Sequence, residues 1–76
     1  MATPEIWLVE WTDAVGQTGW EELDEDMSMV VYTVGIIVLE NEERLCIASS
    51  WSDDILGDIT HIPIGMVNAR RRLNGQ

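Results

Sequence analysis

The 76-residue sequence has no lysine, one cysteine, one histidine and two prolines. A single cysteine, Cys46, excludes an internal disulfide framework. Gly16 and Gly19 bracket Gln17-Thr18 without the lysine and the following helix that a phosphate-binding loop needs. No stretch approaches the ~20 apolar residues of a membrane-spanning helix. The N-terminus lacks the basic-then-apolar pattern of a secretion signal, so the expectation is a cytoplasmic protein with no membrane partner.

The same scarcity argues against catalysis. Asp53, Asp54, Asp58 and His61 are the only group that could imitate a metal or acid–base site, and their spacing matches no known finger or calcium loop. Cys46 and His61 make a poor nucleophilic pair, because Cys46 falls inside a strand and no orienting group is evident. A chain with no enzyme activity, no metal and no cofactor is expected.

What is abundant is acid. Fourteen Asp and Glu face four arginines, for a formal charge of −10. One reading is a solvated surface that keeps the protein soluble. The sharper one is a surface that repels nucleic acid and steers the protein to basic partners. Direct binding to a nucleic-acid backbone is disfavoured, since phosphate affinity depends on neutralising charge. Hydrophobic content of 46% is enough for a globular domain. Seventy-six residues make one small domain, 1–76, near the lower limit for a self-sufficient core, so a homo-oligomer is expected.

Val30 to Trp51 predicts a long β-hairpin. Its first arm is rich in β-branched residues, Gly35 interrupts any helical face, and Asn41-Glu42-Glu43 is the polar break. A turn centred on Asn41-Glu42 would set Ile36 opposite Ile47, Val38 opposite Leu45 and Tyr32 opposite Trp51, with Ile36 facing inward. A four-residue loop is the alternative, because Glu42 suits a tight mirror-image turn poorly. Ahead of the hairpin, Glu5 to Trp11 reads as a first strand, with Trp7, Val9 and Trp11 on one face and Ile6 and Leu8 on the other. Two tryptophans are expected in the core, Trp7 with either Trp11 or Trp51. Trp20 to Ser28 reads either as an acidic loop or as a two-turn helix with Trp20, Leu23 and Met27 on one face and a Thr18–Glu21 capping box. After the hairpin, Ile59 to Ile64 predicts a fourth strand, with Pro63 placing its end at a sheet edge or a bend, and Val67 to Leu73 a fifth.

Five short strands with one long connection after the first suggest a mostly β fold, a small partly open barrel. The ending Ile62-Pro63-x-x-x-Val67 resembles the close of SH3-like barrels, where a proline precedes a tight helical turn that feeds the last strand. The resemblance implies a five-stranded SH3-like barrel with the acidic loop or short helix between strands 1 and 2. The aromatic motif of peptide-binding SH3 domains is missing. An Sm-like barrel fits less well, because its helix would precede all the strands. A second resemblance runs along nearly the whole chain. Val9-Glu10-Trp11-x-Asp13, Gly19-Trp20, Val34-Gly35, Ile47-Ala48-x-Ser50, Ile62-Pro63-x-Gly65 and Arg71-Arg72-Leu73 are similar to small uncharacterised phage and prophage proteins. That likeness implies a bacterial cytoplasm and an accessory viral role.

Two binding surfaces stand out. Trp20, Glu21, Glu22, Asp24, Glu25 and Asp26 combine a large aromatic with acid, a composition suited to engaging a basic protein surface. Arg70, Arg71 and Arg72 hold three of the four positive charges. Alternation sends Arg70 and Arg72 one way and Arg71 the other. They either guard an edge strand and pair with the protein's own acids, or recognise phosphate with Trp51, Trp20 or Tyr32 stacking on a base. The first surface implies a protein that binds and blocks a basic partner, and the resemblance to phage proteins implies that it is a phage accessory protein acting on a host protein in counter-defence. The second implies an oligomer that sequesters a nucleotide immune signal. A structural virion component is a third reading.

Overall fold

The long strand β2, Ser28–Glu40, is 13 residues and belongs to two ladders. Its first part pairs with β1 (Trp7–Ala14), from Ala14 opposite Ser28 to Trp7 opposite Gly35. Its last part pairs with β3 (Arg44–Trp51), from Ile36 opposite Ala48 to Glu40 opposite Leu45. Gly35 stands between the two. A Cβ built there would meet the Ala48 carbonyl oxygen at 2.1 Å, so only glycine lets β3 approach β2 this closely. The computed structural model describes residues 3–14 and 28–75.

β3 pairs in turn with β4 (Leu56–Pro63), and β1 pairs on its far side with β5 (Val67–Arg72). All the pairings are antiparallel, and the strand order is β4-β3-β2-β1-β5. The mostly β, five-stranded architecture expected from the sequence is therefore present. Pro63 ends β4, and a 3-10 turn at Ile64–Met66 delivers the chain to β5, in the order that the Pro63-to-Val67 spacing predicts. β4 begins at Leu56, three residues before the predicted Ile59, and β5 stops at Arg72.

The core is small. Val9, Leu45, Ile47 and Ile62 are fully buried, and Trp7, Trp11, Ile37, Ile64, Met66 and Val67 pack around them. The inward face of β1 carries Trp7, Val9 and Trp11, one of the two faces that the sequence left open. Trp11 anchors it by donating its indole N–H to Thr33 Oγ1 at 3.0 Å. Trp51, the other tryptophan considered for the core, is 44% exposed.

The hairpin register differs from the expectation. Glu40 pairs with Leu45 across a four-residue connection, the alternative that Glu42's poor turn chemistry left open. Asn41 builds it: its Oδ1 accepts the backbone N–H groups of Glu43 (2.8 Å) and Arg44 (2.9 Å). The ladder then shifts between Ile37 and Leu39, leaving Val38 as the bulged residue. Ile37, not Ile36, thus opposes Ile47 and packs on the core, and Tyr32 lies exposed rather than against Trp51.

Both outer strands carry features that resist further pairing. β4 contains Asp58 at φ 53° and ends in Pro63, which has no N–H. β5 is irregular where Trp11 pairs with Val67 and Glu10 with Ala69, leaving Asn68 as the extra residue, and its last three residues are arginines. No helix among the described residues is long and apolar enough to cross a membrane.

Candidate binding surfaces

The β1–β5 register divides the arginine run as alternation requires. Arg70 opposes Val9 and Arg72 opposes Trp7, on the face that turns towards the core, while Arg71 opposes Leu8 on the outer face. Arg70 is engaged twice. Its Nη1 lies 2.5 Å from Glu40 Oε1, and its guanidinium carbon sits 5.5 Å from the centre of the Trp7 ring. Arg72 lies 3.8 Å from Glu5 Oε2. Two of the three arginines thus pair with the protein's own acids.

Arg70 and its partners Glu40 and Trp7 line a cleft of about 390 Å³. Its walls are Glu5, Trp7, Ile36, Ile37, Glu40 and Arg70. Two carboxylates face one guanidinium that already has a partner, a poor setting for an anion. Pairing of the arginines with the protein's own acids was one of two readings of the sequence, and it could not name Glu5 and Glu40. Arg70 and Glu40 are 30 residues apart, and only the joint pairing of β1 with β2 and β5 brings them together.

The aromatic side chains proposed to stack on a base are elsewhere. Tyr32 is on the outer face of β2, opposite Glu10 of β1. Trp51 opposes Leu56 and lines a separate shallow cleft with Ser50, Ser52, Ile55 and Gly57. Arg71 and Tyr32 share the outer face, Arg70 and Arg72 the inner one, and Trp51 belongs to neither group. The acidic candidates, Trp20, Glu21, Glu22, Asp24, Glu25 and Asp26, lie outside the described residues.

Cys46 and His61 do meet. They are cross-strand partners on β3 and β4, with Sγ 3.2 Å from Nδ1. The thiol is buried and the ring exposed, so the contact caps the cysteine rather than presenting it to a substrate. Asp58 accepts a hydrogen bond from Ser50 Oγ at 2.8 Å. Among the described residues, no three His, Cys, Asp or Glu side chains come together in a way that could hold a metal ion. Comparison with known proteins adds no relative: no family model, curated protein or solved structure matches the chain.

Proposed function

We propose that this chain is a non-enzymatic binding protein, a phage accessory protein that occupies a basic surface of a host protein in the bacterial cytoplasm and blocks it. The observation that carries this reading is charge. The formal net charge is −10, and two of only four arginines are held by Glu40 and Glu5. Little positive charge remains to face a partner. Such a surface attracts cationic partners over a Debye length of about 8–10 Å and repels phosphate backbones. A host surface that normally holds nucleic acid is the chemistry it fits, and counter-defence is the role this suits.

The contact residues in this reading are Trp20, Glu21, Glu22, Asp24, Glu25 and Asp26, five acids beside a large aromatic. The scaffold is an SH3-like barrel, a reading supported by the shared strand β2 and the 3-10 turn after Pro63. A protein partner is preferred to a sequestered nucleotide because Arg70, Arg71, Arg72, Tyr32 and Trp51 are distributed over separate surfaces. The test is capture from bacterial cytosol with tagged wild-type chain, beside a variant with all five acids changed to amides. One stoichiometric, basic-surfaced protein retained by the wild type and lost from the variant supports the proposal. A bound nucleotide, or the same catch with both chains, refutes it.

A further inference from the structure

Asn74 extends the β1–β5 ladder with its side chain. The last paired residues are Trp7 and Arg72, and the Leu73 N–H then donates to the Ile6 carbonyl at 2.8 Å. Beyond that point the Asn74 carboxamide takes over from the backbone. Its Oδ1 accepts the Ile6 N–H at 2.8 Å, and its Nδ2 donates to the Pro4 carbonyl at 2.9 Å. The lead-in at residues 4–6 is thus clamped to the segment that follows β5. Glu5, inside this lead-in, accepts the Trp7 indole N–H at 3.3 Å, reaches Arg72, and forms one wall of the cleft beside Arg70.

The residue after Asn74 is glycine, and the fold requires it. Gly75 has φ 75°, and a Cβ there would also collide with the Arg72 guanidinium. Glycine is also the neighbour that leaves a backbone nitrogen least hindered for attack on an asparagine side chain. Of the three asparagines, Asn41 precedes Glu42 and Asn68 precedes Ala69, so Asn74 alone has this neighbour.

We propose that Asn74 is a self-modification site: it deamidates without an enzyme, at a rate set by opening of its clamp, and the reaction unties residues 4–6. The proposal does not depend on the host-protein reading above. The Gly75 backbone nitrogen attacks Asn74 Cγ, and the new C–N bond closes a succinimide ring. The Cγ–Nδ2 bond breaks, and the proton from the Gly75 nitrogen leaves with Nδ2 as ammonia. Water then opens the ring at either carbonyl, giving aspartate or isoaspartate. Because Ile6 and Pro4 hold the carboxamide at both its oxygen and its nitrogen, the attack proceeds from the open clamp. Both products lack the Nδ2 donor. Aspartate sets a carboxylate against the Pro4 carbonyl, two acceptors with no proton between them, and isoaspartate routes the main chain through Cγ. The Glu5 wall of the cleft loosens with the lead-in.

The test is incubation of the full chain in mildly alkaline buffer, native and in urea, with peptide mass mapping of all three asparagines over time. Asn74 should convert from amide to acid in both, more slowly in the native chain by about tenfold or more, while Asn41 and Asn68 stay amides. Ile6→Pro removes the N–H donated to Oδ1; in chain shown to be folded by circular dichroism, it should speed native conversion about threefold or more. The Glu5 and Ile6 amides should exchange hydrogen faster in converted chain than in fresh chain. Equal rates in native and unfolded chain would overturn the proposal, and that comparison needs no variant. So would a native chain that never converts, conversion first at Asn41 or Asn68, a folded Ile6→Pro variant with the wild-type rate, or unchanged exchange at Glu5 and Ile6 after conversion.

Discussion

The carbonyl oxygen of Ala48 lies 2.1 Å from where a Cβ on Gly35 would sit, and this contact is where β2 passes from one ladder to the other. The obstacle is backbone, which cannot rotate aside as a side chain can. Gly35→Ala should therefore destabilise the protein by about 3 kcal/mol, at the upper end for overpacking. Gly65→Ala has open space around the new methyl and should change stability by less than about 0.5 kcal/mol. Urea unfolding of the two variants checks the contrast. Equal midpoints would mean that Gly35 does not govern the approach of β3.

The bulge at Val38 makes a second prediction for β2. Ile37 opposes Ile47 and packs on the buried cluster, whereas Ile36 opposes Ala48 and does not join that cluster. Ile47→Ala should cost about 3–4 kcal/mol, and Ile37→Ala should cost more than Ile36→Ala. Thermal melting of the three variants gives the order. An Ile36→Ala variant less stable than Ile37→Ala would contradict the observed register.

The hairpin was legible in the sequence, and its register was not. β-branched runs around Asn41-Glu42-Glu43 announce two strands and a turn. The register depends on how many residues Asn41 draws into the connection and on one bulged valine, and each one-residue slip reverses the faces of a strand. The alternation of β1 was legible, with Trp7, Val9 and Trp11 on one face and Ile6 and Leu8 on the other, but both faces are apolar, so which one turns inward was not. The closing Pro63 was legible for another reason: proline fixes its own φ and offers no N–H, so it marks an edge or a bend wherever it stands. Side-chain partners far apart in sequence, such as Arg70 with Glu40 and Trp7, leave no local pattern. They follow only from the pairing of β5 with β1.

Arg70 and Arg71 are neighbours in sequence but opposite in role, which gives a third prediction. Arg70 lies over Trp7 and against Glu40, both partly exposed to solvent. Arg70→Ala should cost about 1 kcal/mol, and part of that loss should vanish in high salt, which screens the ion pair but not the stacking. Arg71→Ala, exposed on the outer face, should alter stability by less than about 0.5 kcal/mol. Denaturant titration at low and high salt reads both effects.

The proposed blocking of a basic host surface is tested most directly by calorimetric titration of the captured partner with two forms of the chain at two salt concentrations. One form is the wild type; the other carries Glu21→Gln, Glu22→Gln, Asp24→Asn, Glu25→Gln and Asp26→Asn. Wild-type affinity should fall at least about tenfold when salt is raised from low to several hundred millimolar, because surface attraction is screened. The five-amide variant should bind at least about tenfold more weakly than wild type at low salt and show a much shallower salt dependence. Equal affinity of the two forms, or binding that does not weaken with salt, would contradict the proposal.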